Sequence, residues 1–305
     1  MRPVFQWSVG SRVLELGKRT FVMGVLNVTP DSFSDGGAFL DPERAVEHGL
    51  KLLDDGADII DVGGESTRPG ARVAVPGEKV SDKKPGDDSK KSAVTEKEEL
   101  QRVIPVITQL KQKRKDALIS IDTYKASVAR AAVEAGAQIV NDVSGFRWDS
   151  NMAKTIAELN CGAIMMHMRG RPEEWRNLPP VADIVLLIKR EISDWTQEAA
   201  RKGIKRDKIV VDPGIGFGKN FEQNFPVLKR FEEFHTLRFP LLIGISRKSF
   251  VGRTLAKQGK DAPVMERLHG TLAAETAAIL RGAHILRTHD VKASVEAARM
   301  TDKIA

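Results

Sequence analysis

Four polar residues follow short apolar runs, where their side chains could do chemistry. Asp122, Asn141 and Asp212 come directly after runs rich in isoleucine and valine, and Lys248 follows another such run after a short polar stretch. A short apolar run is typical of a strand buried on both faces, so each polar residue stands where a strand leaves the core. Each carboxylate can accept two N–H bonds in one plane, and the amide can donate and accept. Together they suit a flat heterocycle with an N–C–N edge.

Each of these residues also has a structural interpretation when it is taken alone. Asp122 could cap a helix that starts near Lys125, and Asn141 could be a turn residue. Asp212 precedes Pro213-Gly214, which is typical of a turn. Because the series extends over much of the chain, it favours one site assembled from several strand ends.

Cationic groups near the end of the chain could bind an anion. Arg287 and His289 alternate in Arg-Thr-His-Asp after the last apolar run, so an extended backbone would place both on one face. Arginine offers phosphate a two-pronged contact, and Lys248 adds a point charge. His289 taken alone could equally be structural.

Two loops near the start of the chain combine polar oxygens with glycines. Residues 27–37 contain Asn27, several oxygen donors for a hard cation, a Gly-Gly pair and one apolar ring, Phe33. Residues 63–70 add Arg68 and Pro69. Both segments could be ordinary turns, or they could close over a substrate.

The elements that must hold these residues alternate between strand and helix patterns. The predicted strands are Phe21–Val25, Ile59–Val62, Leu118–Ile121, Gln138–Val140, Ala163–Met166, Ile209–Val211, Leu241–Ile243 and Ala283–Leu286. The predicted helices are Pro42–Gly56, Lys125–Ala135, Asn151–Leu159, Val181–Arg201, Phe221–Phe234, Val264–Arg281 and Val291–Lys303. This alternation predicts an α/β fold, a (β/α)8 TIM barrel, with its site on the loops after the strands. A doubly wound open sheet is the competing fold, but no Gly-rich dinucleotide turn follows the first strand.

Two further segments lie outside this alternation. Residues 1–20 predict a β-hairpin turning at Gly10-Ser11 that covers one end of the barrel. Residues 71–95 are rich in Lys, Asp, Ser, Gly and Pro and almost free of large apolar side chains. They predict a flexible insertion after the second barrel strand, either passively solvated or acting as a lid. We treat residues 1–305 as a single domain.

Composition narrows the classes of function. The formal net charge is +7, but 48 basic residues are interspersed with 41 acidic ones, which favours a small anionic ligand over nucleic acid. The single cysteine, Cys161, adjoins an apolar run and is expected to be buried and inert. With no signal-peptide pattern and no apolar run long enough to span a bilayer, we expect a soluble cytoplasmic protein.

Several motifs resemble one known family, dihydropteroate synthase. In chain order they lie at residues 23–37, 61–70, 120–123, 141–145, 166–168, 212–219, 246–249 and 287–290. The first two, which end in Asn-Val-Thr-Pro-Asp-Ser-Phe-Ser-Asp-Gly-Gly and Gly-Glu-Ser-Thr-Arg-Pro-Gly, are long and specific. Relative to that family, the segment after Gly70 is extended, which leaves the behaviour of the second loop open.

The resemblance implies a reaction, a cofactor and an assembly. The family joins 6-hydroxymethyl-7,8-dihydropterin pyrophosphate to 4-aminobenzoate, releasing pyrophosphate, and it uses Mg²⁺ in a TIM barrel that forms homodimers. Sulfonamides are expected to compete with 4-aminobenzoate. The reaction needs no side-chain nucleophile, and the sequence contains no obvious Ser–His or Cys–His pair. A pterin-dependent methyltransferase and a catalytically silent pterin-binding paralogue are the alternatives.

The resemblance also implies a role for each matching residue. The catalytic residues would be Asp35, Asp122, Asp212 and Lys248. The pterin would contact Asp122, Asn141, Met166, Asp212, Phe217 and Lys248. The pyrophosphate would contact Asn27, Arg68, Arg287 and His289, with Asn27 as the metal ligand. The aminobenzoate would contact Phe33, Thr67, Arg68, Pro69, Ser246 and Lys248.

Overall fold

The computed structural model describes residues 2–29, 41–66, 73 and 93–305. Five residues with expected roles lie outside these ranges, namely Phe33, Asp35, Thr67, Arg68 and Pro69. Most of the 71–95 insertion lies outside them as well.

Eight parallel strands form the barrel, in agreement with the predicted fold. The strands described are β1 (Phe5–Val9), β2 (Arg12–Leu16), β3 (Phe21–Asn27), β4 (Ile59–Gly63), β5 (Leu118–Asp122), β6 (Ile139–Asp142), β7 (Gly162–Met166), β8 (Ile209–Asp212), β9 (Leu242–Ile243) and β10 (Ile285–Thr288). Strands β3 to β10 pair in the order β8-β7-β6-β5-β4-β3-β10-β9. One parallel bridge from Val211 to Leu241 then brings β8 to β9, so the sheet nearly closes on itself. Most strand residues are buried, as expected for strands covered on both faces.

The N-terminal hairpin closes the end of the barrel where the strands begin. Strands β1 and β2 pair antiparallel, and Trp7, Val9 and Leu16 are fully buried against the first residues of the barrel strands. The Trp7 indole N–H donates to the Lys208 carbonyl at 2.9 Å. The hairpin therefore supplies the lower part of the core and leaves the opposite end of the barrel for the site.

Helices follow the barrel strands and cover the outside of the sheet. Among the described residues they are α1 (Pro42–Asp54), α2 (Glu96–Lys113), α3 (Ala126–Glu134), α4 (Met152–Leu159), α5 (Ile184–Arg201), α6 (Asn224–Lys229), α7 (Ser249–Thr254), α8 (Leu268–Leu280) and α9 (Val291–Ile304). In the described part of the chain, none of them has the length and apolar character needed to cross a membrane.

The predicted helices differ from the observed ones in three places. Helix α2 was missed because its exposed face is strongly charged and Pro105 lies inside it, yet Thr95 and Glu98 form a capping box at its start. The predicted helix Phe221–Phe234 is interrupted at Arg230, after which the chain continues as a 3₁₀ helix. The predicted helix at Val264 starts at Leu268 instead, and the short helix α7 precedes it.

Candidate active site

The polar residues predicted at strand ends lie together at the carboxyl end of the barrel. Asp122 ends β5 and stands in register with Asn141 of β6, while Asp212 ends β8 in register with Met166 of β7. Parallel strands deliver their ends to one edge of the sheet, which explains why residues far apart in sequence become neighbours. The structure therefore brings these predicted residues to a single barrel mouth.

Asp122 is not a helix cap. The first amide of α3, at Ala126, is capped by Asp149 at 2.8 Å. The Asp122 carboxylate instead accepts a hydrogen bond from Arg287 Nη2 at 2.6 Å. Its burial raises its pKa to about 7, while the guanidinium acts in the opposite direction. The Asp122 side chain thus belongs to the polar network of the barrel mouth.

A second carboxylate, which sequence reasoning missed, lies at the centre of this network. Asp61 of β4 is fully buried, and its Oδ2 accepts from Arg287 Nε at 2.6 Å and from Asn141 Nδ2 at 3.0 Å. Its Oδ1 has no hydrogen-bond partner among the described residues. The signal was present in the sequence, since Asp61 is a charged residue inside an apolar strand, where only a paired charge is tolerated.

The loop after β8 forms a turn and also contributes to the site. Asp212 Oδ1 accepts from the Gly214 amide at 2.7 Å, so the turn interpretation of this residue is also correct. Burial raises the pKa of Asp212, and the nearby Lys248 opposes that rise. The Lys248 ammonium donates to the Ile215 carbonyl and lies 4.5 Å from the centre of the Phe217 ring. Burial lowers the pKa of Lys248 to about 8.

Apolar side chains line one side of the mouth. Met166 and Phe217 belong to a cluster that also contains Tyr124, Val143, Met168 and Trp148. Trp175 contacts the Phe217 ring edge to face, with 5.3 Å between ring centres. Such flat and polarisable surfaces suit the face of a ring whose edge is bound by carboxylates.

The loops after β9 and β10 are joined to each other. His289 Nδ1 lies 3.0 Å from the Ser246 hydroxyl, which also accepts from the His289 amide at 3.1 Å. Arg247 adopts a left-handed backbone with φ of 59° and binds both carboxylate oxygens of Asp290, at 2.9 and 2.5 Å. Ser246, Lys248 and His289 thus lie on two linked loops, and Arg287 lies in β10 just before the second of them.

Only the described parts of the first two loops can be placed. Asn27 ends β3 in register with Gly63 of β4. In the second loop, Glu65 accepts from Tyr124 Oη at 3.1 Å and from Lys125 Nζ at 2.6 Å. Among the described residues, no group of three or more His, Cys, Asp and Glu side chains is arranged to hold a metal ion.

Most of the chain matches one family of known proteins. Residues 23–83 and 84–289 match the family described as pterin binding enzyme. A dihydropteroate synthase of Clostridium beijerinckii is 42% identical over 297 residues, covering 97% of this chain and 98% of the relative.

Two solved structures are similar over nearly their full length. A dihydropteroate synthase of Clostridium difficile, crystallised in the presence of pteroic acid, is 45% identical with a TM-score of 0.81, covering 95% of this chain and 98% of that one. The enzyme of Xanthomonas albilineans with 4-aminobenzoic acid is 37% identical with a TM-score of 0.84, covering 99% and 98%. Since fold and sequence agree over almost the whole chain, it belongs to the pterin binding enzyme family and, within it, to the dihydropteroate synthases.

Proposed function

We infer that the chain joins 6-hydroxymethyl-7,8-dihydropterin pyrophosphate to 4-aminobenzoate and releases pyrophosphate, giving 7,8-dihydropteroate. The observation that carries this conclusion is the convergence of Asp122, Asn141, Asp212 and Lys248 at one barrel mouth. Two carboxylates and an amide fit the N–H-rich edge of the pterin, and the ammonium fits its carbonyl oxygen.

We propose the following roles at the pterin end of the site. Asp122, Asn141 and Asp212 bind the ring edge, Lys248 binds the carbonyl, and Met166 and Phe217 pack on the ring faces. The apolar cluster that contains Met166 and Phe217 supports this division, since it adjoins the polar network. Asp61 touches no ring atom in this proposal; it orients Asn141 and Arg287 through the bonds described above.

The leaving group is assigned to the carboxyl ends of β3 and β10 and to the loops that follow β4 and β10. Asn27, Arg68, Arg287 and His289 bind the pyrophosphate, and the two arginines offset part of its charge. Asn27 also fits a Mg²⁺ site, because Mg²⁺ is usually held by one or two protein oxygens together with substrate phosphates and waters. When bound, the ion would stabilise charge that builds up on the departing pyrophosphate.

The bond changes balance without an enzyme nucleophile. The carbon–oxygen bond to pyrophosphate breaks with its electron pair leaving on oxygen, and the positive charge spreads over the pterin ring. Asp122 and Asp212 stabilise this cation, because their carboxylates lie beside the ring, with Asp212 buried and Asp122 only partly exposed. The arylamine nitrogen then bonds to the methylene carbon and releases a proton to the departed pyrophosphate or to water. Phe33, Thr67, Arg68, Pro69 and Ser246, with Lys248, are assigned to the aminobenzoate, and Asp35 is assigned to the catalytic first loop.

A pyrophosphate-release assay with the purified chain tests this function. Release should require the pterin pyrophosphate, 4-aminobenzoate and Mg²⁺ together, and sulfamethoxazole should compete with 4-aminobenzoate. Pterin binding without release would favour the silent paralogue instead, and methyl transfer from a methylated folate would favour the methyltransferase.

We also propose that the protein works as a cytoplasmic homodimer. Light scattering coupled to gel filtration measures the mass, which should be twice that of one 33.6 kDa chain. A mass of one chain under active conditions would contradict the dimer and leave the proposed reaction intact.

A further inference from the structure

A buried lysine that the proposed mechanism does not use joins two loops of the barrel mouth. Lys219 is 7% exposed, and its ammonium reaches acceptors in both loops. From the loop after β8 it binds the Gly214 carbonyl at 2.7 Å and the Phe217 carbonyl at 3.1 Å. From the loop after β7 it contacts His167 Nδ1 at 3.1 Å and the His167 carbonyl at 3.4 Å. One side chain thus satisfies buried polar atoms of both loops.

The backbones of the two loops are in direct contact. Gly214 has φ of +67°, and a Cβ there would lie 1.8 Å from the His167 carbonyl oxygen. The His167 amide also donates to the Asp212 carbonyl at 2.8 Å. The backbone after β8 is therefore pressed against the backbone after β7, and Lys219 lies where the two meet.

The far side of this contact is fixed as well. His167 is fully buried, and its Nε2 lies 2.8 Å from Glu191 of α5. With Nε2–H donating to the carboxylate, Nδ1 is left to accept from Lys219. The imidazole also stacks on Trp195, with 5.3 Å between ring centres. Lys219 is thereby connected through His167 to the outer helix.

The segment that Lys219 holds carries two contacts of Lys248. The Ile215 carbonyl accepts from the Lys248 ammonium, and the Phe217 ring lies beneath it. Ile215 follows Gly214 directly, and Phe217 itself provides the second carbonyl that Lys219 binds in this loop. We propose that Lys219 is a positioning residue for the pterin subsite, which fixes the loop after β8 so that Phe217 and Lys248 meet the ring. This inference rests on the proposed function.

The test compares two buried lysines at opposite ends of the barrel. Lys208 is 5% exposed, and its ammonium donates to the Asn160 carbonyl at 2.8 Å, at the end of the barrel covered by the hairpin. Lys208→Met removes a buried ammonium from one backbone carbonyl, and Lys219→Met removes one from three. Both should lower the melting temperature, because each leaves buried acceptors unpaired.

Kinetics at a temperature where both variants are folded should separate them. Lys219→Met should raise the KM for the pterin pyrophosphate at least tenfold, with a matching loss of affinity for 6-hydroxymethyl-7,8-dihydropterin by calorimetry. Lys208→Met should keep both within twofold of the wild type. Equal KM values in the two variants and the wild type would overturn the positioning role.

Two further measurements keep the inference and the function separate. If Lys219→Met does not fold, Lys219→Gln replaces it, and its shorter amide should raise the same KM several-fold; an unchanged KM would again overturn the role. If both the wild type and Lys208→Met are inactive, the proposed function itself is contradicted. If both are active and Lys219→Met has the wild-type KM, only the inference is contradicted.

Discussion

Buried charges in the barrel mouth adjust the protonation of the residues proposed to bind the pterin. Lys248 loses water on burial, which lowers its pKa to about 8, although Asp212 beside it favours the ammonium. Arg287 lies between Asp61 and Asp122, which hold its pKa above its usual range. The arginine therefore stays charged at any working pH, whereas Lys248 can titrate.

The alkaline side of the pH profile should report Lys248. If the ammonium binds the pterin carbonyl, kcat/KM for the pterin pyrophosphate should fall as pH rises through about 8. Lys248→Arg keeps the charge at high pH, so any activity it retains should lose this alkaline fall. Lys248→Ala should remove most turnover with the fold intact, as judged by circular dichroism. If kcat/KM of Lys248→Arg falls at the same pH, the alkaline fall belongs to another group.

Among the secondary elements, helix α2 is tied to the second loop by a buried ion cluster. Lys125 is 2% exposed and binds Glu65 at 2.6 Å and Glu99 at 2.5 Å. Lys125→Met would leave two carboxylates buried without a cation, which should cost about 3–5 kcal/mol of unfolding free energy. Urea denaturation measures this loss. Adding Glu99→Gln should restore part of the stability, and no recovery would show that the cluster is not the cause.

The contact between helices α8 and α9 should depend on pH. Glu275 is buried with Oε1 unpaired among the described residues, while its Oε2 accepts from Ser294 at 2.8 Å. Burial raises its pKa from 4.5 to about 7, so the folded chain keeps a proton that the unfolded chain releases. Stability from this group is therefore present at pH 4 and is lost as pH rises from about 4.5 to 7, by at most about 3 kcal/mol.

Glu275→Gln should remove that loss. The melting temperature of Glu275→Gln minus that of the wild type should be larger at pH 8 than at pH 5. Scanning calorimetry at both pH values measures this difference. Ser294→Ala keeps the carboxyl and removes a hydrogen bond that lowers the pKa of Glu275, so this variant should still lose stability as pH rises, over a range at least as wide as in the wild type. A constant difference between Glu275→Gln and the wild type would mean that Glu275 does not titrate in this range.

In the whole molecule, the core under the N-terminal hairpin and the proposed substrate-binding residues lie at opposite ends of the barrel. The hairpin buries Trp7 against the lower core, while the proposed substrate residues lie at the strand carboxyl ends. Trp7→Ala should therefore cost about 3–5 kcal/mol of unfolding free energy. The KM values of both substrates should stay within twofold. Val13→Ala, a 60% exposed position on the same hairpin, is the control and should change neither property. A large KM change in folded Trp7→Ala would contradict this separation.

The residue pattern was enough to predict the eight strands, the N-terminal hairpin and Asp122, Asn141, Asp212 and Lys248 at the barrel mouth. This works because buried strands are uniformly apolar, so a polar residue at a strand end is conspicuous. The first and second loops were recognised by their motifs, although Phe33, Asp35, Thr67, Arg68 and Pro69 remain predictions because they lie outside the described residues.

Contacts between distant segments could be seen only in the folded chain. Asp61 looks like a misplaced charge until Arg287 and Asn141, far away in sequence, are found on either side of it. Lys219 looks like one more surface lysine until the loops after β7 and β8 close around it. Periodicity reports which face of an element is buried, but the partner of a buried charge depends on which strand ends the barrel brings together.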